Sequence, residues 1–97
     1  MNALTREGDV LRLSGDITYD NADAVCAQGL GLLAQVGATP VIDLAGLTTA
    51  SSVAVAVLLR WSRTAAVQGQ SLQLANVPER CRAIVRVSGL ADALPDA

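Results

Sequence analysis

Hydrophobic and polar positions alternate in some stretches of the chain and recur at helical spacing in others. Residues 4–7 and 10–14 are short, partly alternating runs on either side of Gly8-Asp9, which is typical of two strands joined by a hairpin turn. Residues 41–44 form a short, mainly apolar run of the kind found in buried central strands, and residues 71–75 alternate again. The pattern therefore predicts four strands, the first two of them in an opening hairpin.

The stretch between the second and third strands has the spacing of an amphipathic helix. Either Asp20 or Asn21 is suited to cap this helix, which is predicted to run to about Val36. Gly29 and Gly31 weaken the prediction, because a glycine inside a helix costs about 1 kcal/mol relative to alanine. One face of the helix is nevertheless apolar, with Ala22, Val25, Cys26, Leu30 and Leu33.

Residues 52–68 are predicted to form the longest helix. Their valine-rich beginning, residues 53–57, resembles a strand, but the stretch continues to Gly69 without a turn signal, and that length favours a helix. Ser51 or Ser52 is suited to be the N-cap, because a short hydroxyl side chain accepts a hydrogen bond from a backbone N–H of the first turn. The apolar stripe of this helix comprises Ala54, Val57, Leu58, Trp61 and Ala65.

A third helix follows the last predicted strand. Pro78 is placed for the first helical position, residues 79–87 have helical spacing, and residues 90–94 are predicted to add a short final turn. Strands and helices thus alternate after the hairpin, which predicts an α/β fold with a mixed β-sheet and helices packed predominantly on one face. Because 97 residues are typical of one domain, we expect a single domain over residues 1–97.

Composition and charge limit the classes of function. Apolar residues make up 52% of the chain, yet its longest unbroken apolar stretch, residues 53–59, is far shorter than the roughly 20 residues of a membrane-spanning helix. Direct insertion into a membrane is therefore not expected. The net charge is −2, lysine is absent and the arginines are dispersed, so nucleic acid is not an expected partner. Residues 1–6 lack the apolar stretch of a secretory signal, which predicts a cytoplasmic protein.

Side chains that common catalytic and metal sites require are missing from the sequence. The chain contains no histidine, which excludes Ser–His–Asp and Cys–His catalysis and mixed Cys/His metal sites. Cys26 and Cys81 lie far apart and are predicted to be small buried hydrophobic residues. Asp43 is interpreted as structural, capping the next loop or facing solvent; the alternative, a phosphate or metal site, lacks a second acidic residue nearby in sequence. We therefore expect no enzymatic activity, no cofactor and no metal.

Four motifs together resemble the STAS domain family and span nearly the whole chain. They are Leu13-Ser14-Gly15-Asp16 after the hairpin, Val41-Ile42-Asp43-Leu44 as the central strand, the Ser51-Ser52 step into the long helix, and Leu72-Gln73-Leu74-Ala75-Asn76-Val77-Pro78 before the third helix. STAS domains occur in anti-sigma factor antagonists, in the cytoplasmic tails of sulfate transporters and in a small subunit of bacterial phospholipid-transporting ABC systems. The resemblance implies a STAS-like mixed sheet.

Within that family, the chain is most similar to the small Mla-type (MlaB) subunit. The similarity lies in Leu58-Leu59-Arg60-Trp61 followed by Gly69 and Leu72, and in Val87-Ser88-Gly89-Leu90 with Leu94-Pro95. It implies a non-catalytic subunit that binds and stabilises the cytoplasmic ATPase of an ABC system. A permease and a lipid-binding protein complete such a complex, which maintains outer-membrane lipid asymmetry, and the subunit lies at the inner membrane through its partners.

The start of the long helix departs from the signalling members of the family. Their pattern is an acid, two small residues, Gly and Leu, whereas this chain has Ala50, Ser51, Ser52, Val53 and Ala54. Ser51 and Ser52 are candidate phosphorylation sites, but without the acid and the glycine we expect neither to carry stoichiometric phosphate. The alternative function is an anti-sigma factor antagonist that binds an anti-sigma factor kinase and is switched by serine phosphorylation. A third interpretation gives both serines a capping role alone.

The predicted partner-binding surface begins in the loop before the long helix and continues along that helix. By resemblance, Ser51 matches the functional threonine of the Mla-type subunit, and the inward stripe leaves further apolar positions on the outer side. Arg60 and Arg63 are interpreted either as solvated arginines or as contacts for an acidic partner surface. The residues predicted to contact the partner are Thr48, Thr49, Ser51, Ser52, Val55, Leu59 and Arg63.

Overall fold

The opening residues form an antiparallel hairpin that leads into a parallel sheet. In the computed structural model, which describes residues 3–48 and 51–87, the elements in chain order are β1 (Ala3–Glu7), β2 (Val10–Gly15), α1 (Ala22–Leu33), β3 (Val41–Leu47), α2 (Ser52–Val67), β4 (Gln73–Ala75) and α3 (Glu79–Val87). The strand order is β1-β2-β3-β4, in which β1 and β2 are antiparallel and the other two pairs are parallel. Gly8 makes the hairpin turn with a φ of 62°, which glycine adopts without steric penalty. The predicted α/β fold with a mixed sheet is confirmed.

Alternation along the two central strands separates a covered face of the sheet from an open face. Leu11 and Leu13 in β2, and Ile42 and Leu44 in β3, are buried, whereas Arg12 between the two leucines is exposed. Successive side chains of a strand point to opposite faces, so the buried residues share the face on which the helices pack. This agrees with the prediction that the helices lie predominantly on one face.

Helix α2 lies in the middle of the helical layer, with α1 on one side and α3 on the other. The largest side chain in its apolar stripe, Trp61, is fully buried. The Nε1 of Trp61 donates a hydrogen bond to the backbone carbonyl of Cys26 in α1 at 3.0 Å. Gly29, one turn further along α1, lets the indole ring approach the α1 backbone. All five residues predicted for the stripe are buried: Ala54, Val57, Leu58, Trp61 and Ala65.

Several element boundaries differ from the sequence-based predictions. Helix α1 ends at Leu33 instead of near residue 36, and Nε2 of Gln70 donates to carbonyl oxygens of Leu33 (2.8 Å) and Gly37 (3.0 Å) around that end. Strand β3 continues to Leu47, because it pairs with β2 as far as Gly15. Strand β4 begins two residues later than predicted. These ends depend on partners that are distant in sequence.

The loop before α1 is fixed by the side chain of Asn21. This residue precedes α1 and was one of the two predicted caps, but its side chain makes no capping bond to the helix. Instead, Oδ1 of Asn21 accepts from the backbone N–H of Thr18 at 2.8 Å, and Nδ2 donates to the carbonyl of Asp16 at 3.0 Å. At the other end of the chain, the predicted final turn at residues 90–94 lies outside the described residues.

Candidate partner-binding site

The predicted surface begins in the loop between β3 and α2. Thr48 is exposed, and its backbone N–H donates to the carbonyl of Gly15 at 2.8 Å, which ties the loop to the end of β2. Thr49 and Ala50 lie outside the described residues. The contact predicted for Thr49 therefore stays a prediction.

Ser51 is the N-cap of α2. The sequence had offered Ser51 and Ser52 as the two alternatives for this cap. The backbone of Ser51 is extended (φ −140°, ψ 168°), and its Oγ accepts a hydrogen bond from the backbone N–H of Ala54 at 3.3 Å. The bond satisfies one of the donors that a helix start leaves free, at the positive end of the helix dipole. Ser52 is the first residue of the helix and is exposed. The hydroxyl of Ser51 is thus engaged in capping, whereas Ser52 lies at the surface.

The residues predicted to face outward from α2 are not equivalent. Arg63 is exposed, and Leu59 is half-buried and packed at the edge of the core. Val55 is only 2% exposed and belongs to the core, so the prediction that it faces a partner is wrong. The physical reason is that α2 has a helix on either side and the sheet beneath it. Its buried arc is therefore wider than the single stripe inferred from the sequence.

The outward side of α2 carries apolar area and positive charge together. Ala56, Leu59, Arg60 and Arg63 line a depression of about 440 Å³ on this side of the helix. Neither arginine forms an ion pair with another residue in the described ranges. Interfaces combine an apolar centre with charged residues that select a complementary partner. We call Ser52, Ala56, Leu59, Arg60 and Arg63 the α2 face.

Ala56 is one of the apolar positions outside the predicted inward stripe, but it was not among the residues predicted to contact the partner. Ser52, Ala56, Arg60 and Arg63 are all exposed and follow the spacing i, i+4, i+8 and i+11 of one helical side. The spacing was present in the sequence. Alanine gives little signal of its own, however, because it occurs at buried and at exposed positions.

Titratable side chains are dispersed over the part of the chain that the structure describes. Within residues 3–48 and 51–87, no group of three or more His, Cys, Asp or Glu side chains could hold a metal ion. Cys81 is buried, and burial raises the pKa of its thiol, which favours the unreactive protonated form. Cys26 is half-buried, which corrects the prediction of full burial.

Asp43, the third residue of β3, is hydrogen-bonded to the residue that follows β4. Its Oδ1 accepts hydrogen bonds from Nδ2 of Asn76 (3.0 Å) and from the backbone N–H of Ala45 (2.9 Å), and Nε of Arg12 lies 3.8 Å from Oδ2. The bond from Asn76 is the largest cause that lowers the pKa of Asp43, and the bond from Ala45 acts in the same direction. Desolvation by burial raises the pKa of Asp43 and so opposes this shift. The positive charge of Arg12 lowers the pKa further. The contacts agree with the structural interpretation of Asp43.

Comparisons with known proteins identify the family and the fold. A family model described as "Mlab, STAS domain" matches residues 1–96. The structure of the anti-sigma factor antagonist SpoIIAA in its unphosphorylated form aligns with a TM-score of 0.74 at 21% identity, over 100% of this chain and 88% of that chain. An anti-sigma factor antagonist from Mycobacterium paratuberculosis aligns with a TM-score of 0.70 at 19% identity, over 98% of this chain and 82% of that chain. No curated protein gives a significant match. At these identities the two structures show the shared fold alone.

Proposed function

This chain belongs to the STAS domain family, and from that premise we propose that it is a non-catalytic subunit of a phospholipid-transporting (Mla-type) ABC system. In this proposal the chain binds and stabilises the cytoplasmic ATPase. A permease and a lipid-binding protein complete the complex, which maintains outer-membrane lipid asymmetry. The match to a family model of Mlab type supports the proposal. The main structural support for the proposal is the α2 face, which no other helix in the described part of the chain covers.

The α2 face has the properties of a docking surface. Leu59 and Ala56 supply apolar area, and Arg60 and Arg63 supply exposed positive charge on the same side of the helix. A partner that presents an apolar residue surrounded by carboxylates would complement it. Ser52 places one end of the α2 face at the helix N-terminus, where the backbone dipole also favours negative charge, and the exposed Thr48 lies in the loop before it.

We place the chain in the cytoplasm, at the inner membrane, through contact with its ATPase partner. Within the described residues, no helix is both long and apolar enough to cross a membrane. Cell fractionation with and without the partner complex would test the placement. The chain should leave the membrane fraction when the ATPase gene is deleted.

Charge reversal on the α2 face tests the proposal directly. We expect Arg63→Glu to abolish co-purification with the ATPase of a phospholipid-transporting ABC system from the same organism. Arg63 is exposed, so its replacement should change the free energy of unfolding by less than about 0.5 kcal/mol. Leu59→Glu should also abolish binding, with some additional loss of stability because Leu59 packs partly against the core.

Arg82→Glu on α3 is the matched control for Arg63→Glu. Both arginines are exposed, and neither forms an ion pair with a residue in the described ranges, so the two replacements change the charge equally. Arg82→Glu should leave co-purification intact. Retention of the ATPase by the Arg63→Glu and Leu59→Glu variants, each folded in thermal unfolding, would reject the α2 face as the docking surface.

The alternative function is an anti-sigma factor antagonist that binds an anti-sigma factor kinase and is switched by phosphorylation at Ser51 or Ser52. The shared fold with two anti-sigma factor antagonists favours it, as does the location of both serines at a helix N-terminus, where a phosphate is electrostatically tolerated. Against it stand Ala50 and Val53, which replace the acid and the glycine of the signalling pattern.

Intact-mass analysis distinguishes the two functions. We expect the protein isolated from its own cells to carry no stoichiometric phosphate on Ser51 or Ser52. The reason is that Ala50 and Val53 stand where the signalling pattern has the acid and the glycine. A mostly phosphorylated population would overturn this expectation and favour the signalling function.

A further inference from the structure

A second apolar surface lies between α1 and α2, beside the α2 face. It is an open groove of about 390 Å³, to which α1 contributes Ala22, Asp23 and Cys26 and α2 contributes Val53 and Arg60. Tyr19 stands at its edge, in the loop before α1. We call this surface the α1–α2 groove. Ligand pockets for small molecules bury most of the ligand surface, so an open trough is better suited to a segment of another protein.

The two walls of the groove carry opposite charges. Asp23 on the α1 wall and Arg60 on the α2 wall are both exposed. Neither forms an ion pair or a side-chain hydrogen bond with another residue in the described ranges. Both charges are therefore available to an occupant. A complementary segment would place a basic residue beside Asp23, an acidic residue beside Arg60 and a large apolar side chain between them.

Tyr19 is exposed in a loop whose flanking backbone is hydrogen-bonded. Its side chain is 87% exposed. The flanking backbone is fixed by the two side-chain bonds of Asn21, to Thr18 and Asp16, and the N–H of Ala22 donates to the carbonyl of Thr18 at 2.9 Å. Tyrosine is enriched among the residues that dominate binding energy at interfaces, and the hydrogen-bonded backbone beside Tyr19 does not have to be ordered on binding.

The groove and the α2 face share residues. Ser52, Ala56 and Arg60 belong to both surfaces, so a partner docked on the α2 face also reaches the groove mouth. We propose that the α1–α2 groove holds an amphipathic segment of the same ATPase that docks on the α2 face, with a basic and an acidic residue flanking the inserted apolar side chain. This inference rests on the proposed function, and it adds a second contact that depends on α1.

Filling the groove tests the inference. Ala22 lines the groove, so Ala22→Trp should occupy the space that the segment needs and weaken ATPase binding by at least about tenfold. Because Ala22 is half-buried and packs against the core, thermal unfolding first checks that Ala22→Trp is folded. Ala24→Trp is the control on the same helix, because Ala24 is exposed and is not among the groove residues. It should bind the purified ATPase with unchanged Kd.

Cys26 gives a second measurement that needs no substitution. Its half-buried thiol lines the groove, whereas the Cys81 thiol is buried and serves as an unreactive internal reference. At a free ATPase concentration about ten times Kd, roughly a tenth of the sites remain empty, so alkylation of Cys26 should slow about tenfold. The reagent is iodoacetamide, and labelling at each cysteine is followed by peptide mass spectrometry.

The outcomes separate the groove from the wider proposal. Weakened binding by Ala22→Trp together with protection of Cys26 supports the groove contact. If the ATPase binds but Ala22→Trp matches Ala24→Trp and Cys26 stays as reactive as in the free chain, the groove inference fails and the α2 face remains. If the ATPase does not bind the parent chain, the proposed function fails and the groove assignment with it. Protection of Cys26 by concentration of the chain alone would instead assign the groove to a second copy, and would also overturn the inference.

Discussion

An added methyl group at Gly29 would overlap atoms Cε2 and Cζ2 of the Trp61 indole ring. Trp61 is fully buried, and its Nε1 is bonded to the carbonyl of Cys26, so the ring has no free space into which to move. At Gly31 the same methyl group would meet no atom within 4 Å. The two glycines that weakened the helical prediction for α1 are therefore physically different.

Alanine substitutions measure this difference. We expect Gly29→Ala to lower the free energy of unfolding by about 1–3 kcal/mol, because overpacking against Trp61 outweighs the gain in helix propensity. Gly31→Ala should raise it by up to about 1 kcal/mol, because only the propensity term acts there. Urea denaturation of the two variants beside the parent gives both values. Equal stabilisation by both substitutions would show that the indole does not pack against Gly29.

Asp43 should make the stability of the chain depend on pH in the acidic range. Its pKa in the folded state is lowered from the ordinary value of 3.8, first by the hydrogen bond from Asn76. A lowered folded-state pKa means that the unfolded chain binds the proton more tightly. The stabilisation is therefore complete above the unfolded pKa and is lost as the pH falls through the lower folded pKa.

Asp43→Asn isolates this contribution from the other carboxylates. The asparagine keeps an Oδ1 acceptor for Ala45 and Asn76 but cannot ionise. We expect the variant to be less stable than the parent at neutral pH, and the difference to shrink as the pH falls below 3.8. Urea denaturation at a series of pH values measures it. A difference that stays constant down to the lowest pH would contradict a lowered pKa.

The start of α2 depends on one hydroxyl of the serine pair. Ser51 accepts the N–H of Ala54, whereas Ser52 is an exposed first helical residue. We expect Ser51→Ala to cost about 1 kcal/mol of stability, because the cap is lost, and Ser52→Ala to stay within about 0.5 kcal/mol of the parent. Thermal or urea unfolding of the two variants decides between them. Equal losses would mean that the cap is shared or absent.

Element types and their order could be predicted because the signals are local. The hydrophobic spacing of α2 and the hydroxyl before it lie within one stretch of sequence, so the helix was predicted and its cap at Ser51 was one of the two predicted alternatives. Element ends were harder to predict, because they depend on distant groups. The side chain of Gln70 donates a hydrogen bond to the carbonyl of Leu33 at the end of α1. The length of β3 is determined by its pairing with β2.

The candidate site could be predicted only in part, for a reason that Val55 illustrates. A single stripe on a helix indicates one buried side, but the buried arc of α2 also depends on which helices pack beside it. Val55 was placed outside the core because the sequence does not reveal that α3 packs along α2. Arg63 was placed correctly at the surface, because a charged side chain is rarely buried without a partner.

At the scale of the whole molecule, polar contacts cross the open face of the sheet from one edge to the other. Arg12 in β2 pairs with Glu7 in β1 and lies near Asp43 in β3, which in turn binds Asn76 after β4. The two ends of this network differ in their environment. The side chains of Glu7 and Arg12 are 71% and 56% exposed, whereas that of Asp43 is 21% exposed. The carboxylate at the β4 end is therefore less exposed than the ion pair at the β1 end, although its partner Asn76 is itself exposed.

This asymmetry predicts which part of the fold opens first. Strand β4 has three residues at a sheet edge. Besides its pairing with β3, the Asp43–Asn76 bond and the core residues that follow in α3 hold it to the fold. We expect Asp43→Ala to increase amide hydrogen exchange in β4 and α3 while leaving β2 protected, because local opening involves the units with the fewest anchoring contacts. Glu7→Ala removes an exposed ion pair at the opposite edge and should leave the exchange of α3 unchanged. Hydrogen-exchange mass spectrometry resolves these segments. A uniform increase over β2, α2 and α3 in the Asp43→Ala variant would mean that β4 and α3 open only with the whole molecule.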